Sequence, residues 1–126
     1  MIVLDTSLLI DALTGHRRSG PGVREALSDG ERVVLPTLVL YEWLRGPRYP
    51  EEIAAQEALF PLESILPFGV EEAEISARLY RSVRRARGRE IDLAIAASAI
   101  ARTAPLWTLN PADFADLPGI QLYNSR

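Results

Sequence analysis

The chain contains no cysteine, no lysine and a single histidine, His16. Without cysteine there is no disulfide framework, no thiolate zinc site and no cysteine nucleophile, and one histidine cannot build a histidine metal site alone. Any metal must therefore be held by oxygen. All 14 basic side chains are arginine. That excludes Schiff-base chemistry, the Walker A loop with its lysine, and Ser-Lys acylation of the class A β-lactamase type. No stretch approaches the ~20 apolar residues of a membrane span. The longest candidate, 33–44, is broken by Pro36, Thr37 and Glu42. Residues 1–10 lack a positive leader and place Asp5 within the apolar run, so they do not read as a signal peptide. The expected protein is cytoplasmic and has no membrane partner.

What is present is the composition of an ordinary buried core: 126 residues, 48% hydrophobic and 25% charged. One domain covering 1–126 is expected. The net charge of −3 argues against a general nucleic-acid binder, but the charges segregate. Residues 51–74 hold seven Glu and no Arg, whereas residues 75–105 hold seven Arg against Glu90 and Asp92. A basic surface can therefore sit on an acidic protein.

Short apolar runs alternate with helical patterns. Ile2-Val3-Leu4 reads as a buried strand, and Asp5-Thr6-Ser7 supplies hydroxyls able to cap a helix running to Gly15. A short helix over 21–28 and a strand over 32–35 follow. Pro36-Thr37 opens a helix that stops at Gly46-Pro47, and Pro50 opens another reaching about Leu62. A strand over 65–68 precedes a longer helix from Val70 to near Gly88, with Ile75, Leu79, Val83 and Ala86 on one face and Arg78, Arg81 and Arg85 on another. Residues 91–103 form an Ala-rich helix, 106–109 a fourth strand, 111–114 a turn and 120–123 a last strand. Strands without period-2 polarity are those buried on both faces of a parallel sheet. The predicted fold is α/β: one three-layer domain with a mostly parallel sheet of four to five short strands flanked by helices.

Ligands of such sheets bind outside the carboxyl ends of the strands. Asp5 directly follows the first strand, Glu42 lies in the helix after the second, Asp92 opens the Ala-rich helix and Asp113 follows the fourth strand. Each has an ordinary alternative: helix-dipole acids for Asp5 and Asp92, an ion pair with Arg45 for Glu42, a turn cap for Asp113. Asp5 and Glu42, however, are embedded in apolar sequence, and buried carboxylates need a partner.

Leu4-Asp5-Thr6-Ser7, Val39-Leu40-Tyr41-Glu42 with Arg45-Gly46, Asp92-Leu93-Ala94-Ile95-Ala96-Ala97, and Thr108-Leu109-Asn110-Pro111-Ala112-Asp113-Phe114 resemble, in order, the acidic motifs of PIN-domain ribonucleases, most closely the VapC-type toxins of toxin–antitoxin pairs. The resemblance spans nearly the whole chain. It implies that Asp5, Glu42, Asp92 and Asp113 are catalytic and hold divalent metal, with Thr6, Ser7, Thr108 and Asn110 as supporting hydrogen-bonding groups and Asp116 outside the site. It also implies an RNA substrate, a cognate antitoxin and a homodimer.

The chemistry agrees with that implication. Four neighbouring carboxylates repel one another unless cations lie between them, and Mg²⁺ or Mn²⁺ prefers hard oxygen ligands. A metal-activated water can attack phosphorus in line, so no histidine or lysine base is required. Arg78, Arg81, Arg84, Arg85, Arg87 and Arg89 fall within twelve residues, 78–89, shortly before Asp92 and are the candidate RNA contacts. The alternative for Arg78 is a helical pair with Glu74. The helix 37–45 carries more large apolar side chains (Leu38, Leu40, Tyr41, Trp43, Leu44) than one core stripe buries, and part of it is expected to meet a partner. Receiver-like and haloacid-phosphatase-like folds also place an Asp after the first strand, but both use a lysine that is absent here. The competing reading is a non-catalytic PIN-like RNA-binding or scaffold domain.

Overall fold

In the computed structural model, residues 1–124 are described. Four parallel strands form the sheet: β1 (Ile2–Leu4), β2 (Val33–Pro36), β3 (Ile65–Leu66) and β4 (Leu106–Trp107), in the order β3-β2-β1-β4. Register is set by Ile2 opposite Val33, Val3 opposite Leu106 and Leu35 opposite Ile65. Every residue of β1 and β2 is buried, as uninterrupted apolar runs require of strands covered on both faces. The chain steps outward from β1 through β2 to β3 and then returns to pair β4 on the other side of β1. The topological switch point therefore lies between β1 and β4, and their carboxyl ends flank the crevice where open α/β sheets bind ligands.

The helices are α1 (Thr6–Leu13), α2 (Gly20–Ser28), α3 (Thr37–Arg45), α4 (Pro50–Leu59), α5 (Val70–Ser82) and α6 (Glu90–Ala101). Residues Leu93 to Ala99 of α6 are all buried. Their small side chains let α6 pack along α5 while also touching α3 and β1, so Asp92 in its first turn is carried to the sheet. α1 packs on α2, α3 and α4. No helix among the described residues is long and apolar enough to cross a membrane.

Several boundaries differ from the sequence reading, each for a local reason. α4 ends at Leu59 because Pro61 cannot continue it, and a 3₁₀ turn over Leu62–Ser64 leads into β3. β3 stops at Leu66 before Pro67, which has no N–H to give a ladder. The strand expected over 120–123 is reduced to one parallel bridge, Leu122 to Leu106. The largest difference is α5, which ends at Ser82 and not near Gly88. Ser82 Oγ donates to the Arg78 carbonyl at 2.6 Å, and Val83 turns extended. Arg85 (φ 56°) and Gly88 (φ 88°) adopt left-handed backbone. A continued helix would stack Arg81 on Arg85, a destabilising like-charge pair. Val83 and Ala86 still contact the core, but from a loop.

Candidate active site

Asp5 occupies the N-cap position of α1 and is 5% exposed. Its main chain is fixed on both sides: its N–H donates to the Trp107 carbonyl at 2.9 Å, and its carbonyl accepts from Leu9 N–H at 3.2 Å. Its carboxylate does not cap the helix. Ser7 Oγ and Thr108 Oγ1 both donate to Oδ2, at 2.9 and 2.7 Å, and among the described residues nothing donates to Oδ1. Both hydroxyls are themselves steadied by main-chain N–H groups, Leu109 donating to Ser7 Oγ at 3.2 Å and Asn110 donating to Thr108 Oγ1 at 3.0 Å. Asn110 thus contributes its amide N–H and not its side chain. The Leu109 amide is a contributor that side-chain motifs cannot reveal.

The hydroxyls after β1 were expected to cap α1, but the structure assigns them to acids instead. Thr6 Oγ1 donates to Glu42 Oε1 at 2.6 Å, tying α1 to α3. Glu42 Oε2 also takes the expected ion pair with Arg45 at 3.3 Å, whose exposure makes it weak. Burial raises the pKa of Asp92, and the negative charges of Asp5, Glu42 and Asp113 raise it further, against an opposing effect of Arg89. Asp92 thus senses acids from three other segments at the carboxyl end of the sheet. Asp113 lies exposed on a 3₁₀ turn (Pro111–Asp113) and, with Arg89, Asp92, Ala112 and Asp116, lines a cavity of about 360 Å³.

Among the described residues no three acids come close enough to cage an ion outright. The donor set is nevertheless of the hard-oxygen kind that Mg²⁺ and Mn²⁺ take. Mg²⁺ usually keeps several waters and binds through one or two carboxylates, a demand that spaced acids with an undonated oxygen on Asp5 can meet.

The arginines divide into three groups. Arg78 and Arg81 lie exposed on α5, and Arg84, Arg85 and Arg87 lie exposed on the loop that follows. Among the described residues none of these five forms an ion pair, and the Glu74 partner considered for Arg78 is not used. Arg89, the sixth of the expected RNA contacts, is engaged within the chain. It donates to both carboxylate oxygens of Asp116, at 2.9 and 2.8 Å, and to the Asp113 carbonyl at 2.9 Å. The hydrogen bonds to Asp116 raise the Arg89 pKa, and the same bonds lower that of Asp116. Asp116, expected outside the site, is held by this arginine and lines the same cavity as Asp92 and Asp113.

Along α3, Trp43 is fully buried, and Leu38 and Leu40 pack partly against the core. Only Tyr41 and Leu44 of the five large apolar residues remain exposed.

The model of the PIN domain family matches residues 2–120. The chain is 34% identical over 123 residues to Ribonuclease VapC19 of Mycobacterium tuberculosis, covering 96% of this chain and 98% of that protein. Its fold is similar to that in the crystal structure of VapBC2 from Rickettsia felis bound to a promoter DNA fragment, with a TM-score of 0.76, 21% identity and complete coverage of both chains. A toxin–antitoxin complex from Klebsiella pneumoniae matches with a TM-score of 0.71 and 25% identity, again over 100% of both chains. The acidic motifs, the switch-point crevice and these likenesses agree, and the chain belongs to the PIN-domain family, among the relatives of the VapC ribonucleases.

Proposed function

We propose that the chain is a divalent-metal-dependent endoribonuclease and the toxin of a toxin–antitoxin pair, with Asp5, Glu42, Asp92 and Asp113 as its catalytic and metal-holding acids. The feature that carries this reading is the arrival of the four acids from four separate segments at one end of the sheet, where hydroxyls hold Asp5 and Glu42 and where Asp5, Glu42 and Asp113 all act to raise the pKa of Asp92. Isolated structural carboxylates would have no reason to gather there. The ribonuclease named among the relatives and the toxin–antitoxin complex among the structural neighbours support the activity and the partner.

In this reading Asp5, Glu42, Asp92 and Asp113 would hold Mg²⁺ or Mn²⁺, which when bound would supply an activated water and offset negative charge at phosphorus. The chain's own residues do the positioning. Ser7 and Thr108 hold Asp5 in one rotamer through Oδ2, leaving Oδ1 for the cation, while Thr6 holds Glu42 toward the same crevice. Arg78, Arg81, Arg84, Arg85 and Arg87 offer exposed guanidiniums for RNA phosphates. Asn110 supports the site through its main chain, the antitoxin would cover the exposed part of α3, and the protein would act in the cytoplasm as a homodimer.

Purified protein should cut single-stranded RNA in Mg²⁺ or Mn²⁺ and spare it in chelator, and Asp5→Asn should abolish cutting while leaving the circular dichroism spectrum unchanged. Equal cutting by wild type and Asp5→Asn would reject the assignment. RNA binding without cutting would favour the scaffold reading.

A further inference from the structure

Arg89 stands at the N-cap of α6, three residues before Asp92. Unlike Arg78, Arg81, Arg84, Arg85 and Arg87, which form no ion pair among the described residues, it is already committed. Its planar guanidinium makes a two-pronged contact with the Asp116 carboxylate and a third bond to the Asp113 carbonyl. These are the only hydrogen bonds among the described residues that link the start of α6 to residues 111–117. They therefore join the segment carrying Asp92 to the segment carrying Asp113. The Asp113 side chain makes no hydrogen bond of its own among the described residues, so its place depends on how the turn beneath it is held.

We propose that Arg89 and Asp116 form a strut that fixes the spacing of Asp92 and Asp113, making Arg89 a positioning residue for the metal-holding acids and not an RNA contact. This deepens the ribonuclease reading and rests on it. The strut is partly solvated, with the Asp116 side chain 49% exposed, so it should add little to global stability and its removal is expected to leave the fold intact. An effect of its loss on the site is then an effect of position. Groups that orient metal ligands from outside the ligand set typically change metal affinity or activity about 10–100-fold when removed.

The test uses the full-length protein and the variants Asp116→Asn, Arg89→Lys and Arg89→Ala. Mn²⁺ binding is measured by calorimetry without RNA, and cleavage kinetics and melting temperature are measured beside it. Asp116→Asn keeps the Arg89 charge but breaks the two-pronged contact. It should weaken Mn²⁺ binding and lower kcat about 10-fold or more, with the RNA KM and melting temperature unchanged. Arg89→Lys keeps the charge without the fork and should be as impaired as Arg89→Ala.

Wild-type Mn²⁺ affinity in Asp116→Asn overturns the strut. So does full activity in Arg89→Lys, which would leave only a charge effect, and so does a rise in KM alone in Arg89→Ala, which would make Arg89 an RNA contact. Wild type that binds Mn²⁺ but cuts no RNA rejects the ribonuclease reading, and the binding comparison still decides the strut. Wild type that binds no Mn²⁺ overturns both.

Discussion

Thr108 Oγ1 donates to Asp5 Oδ2 at 2.7 Å, joining residues 103 positions apart in the chain. The bond exists because β1 and β4 are neighbours and both end at the switch point, so the first residue beyond each strand meets the other. Thr108→Val keeps the shape and removes the donor, leaving Asp5 with Ser7 alone. A hydrogen bond to a charged group contributes about 1.5–3 kcal/mol. Chemical denaturation should show a loss within that range, and kcat should fall because the Asp5 rotamer is less well held. Unchanged stability and kcat would mean that Ser7 suffices.

That contact was partly legible in the sequence. The Thr at 108 belongs to a motif, and short apolar strands announced a parallel sheet, so the acids after the strands could be placed at one end. What was not legible came from tertiary geometry. Nothing local says that the hydroxyls of Thr6 and Ser7 turn to carboxylates and away from the helix N-terminus they precede. The end of α5 was hidden because Ala86 is buried and Val83 packs partly against the core whether or not the backbone is helical. Arg89 and Asp116 are 27 residues apart, and no sequence spacing rule pairs them.

Asp92 gives a pH-dependent prediction. Its folded pKa is raised by burial and by its acidic neighbours above the ordinary 3.8. The folded chain therefore keeps a proton that the unfolded chain has released. The associated stability is fully present below pH 3.8 and is lost as pH rises through the folded value. At pH 7 without metal, Asp92→Asn should melt above wild type, whereas Mn²⁺ should raise the wild-type melting temperature more than the variant's. A ligand at 100 times its Kd stabilises by about 2.7 kcal/mol. A variant that melts below wild type without metal would contradict the repulsive cluster.

Glu72 and Arg102 give the opposite sign. Burial acts to raise the Glu72 pKa, but hydrogen bonds from its own amide, from Arg102 at 2.8 Å and from Gly69 N–H at 3.0 Å outweigh it and hold it below the ordinary 4.5. This stability is present above pH 4.5 and is lost as pH falls through the folded value. The pair ties the start of α5 to the end of α6. Arg102→Met should strand a buried carboxylate and destabilise at pH 7 by about 2–3 kcal/mol, below the 3–5 of a fully buried pair, since part of Arg102 stays in water. The deficit should shrink on acidification below pH 4.5; a constant deficit from pH 7 to pH 3 would show that lost packing, and not the ion pair, is responsible.

The loop after α5 should carry RNA affinity. Replacing Arg84 and Arg87 with Ala should weaken binding and flatten its salt dependence by about 0.7 in log–log slope for each lost phosphate contact. Arg89→Ala should leave that slope unchanged, since its guanidinium is held by Asp116 and the Asp113 carbonyl. Equal slopes in wild type and the double variant would place the RNA on another face.

The exposed part of α3 should be where the antitoxin is felt. Trp43 is core, which leaves Tyr41 and Leu44 as the apolar surface, each about half exposed, beside Arg45 and one turn or less from Glu42. A partner segment that covers Tyr41 and Leu44 also shields the crevice that Glu42 faces, so occlusion of the site and burial of apolar area would come from one contact. Expression of the wild-type chain alone should arrest growth, Asp5→Asn should be tolerated, and co-expression of the cognate antitoxin should restore growth. Leu44→Asp leaves the acids and their hydroxyl donors untouched, so it should still arrest growth. It should resist rescue, because a buried unpaired carboxylate in the interface is strongly unfavourable. Full rescue of Leu44→Asp would move the antitoxin to a different surface, whereas loss of toxicity with loss of dimerisation in gel filtration would identify this face as the contact between copies of the chain.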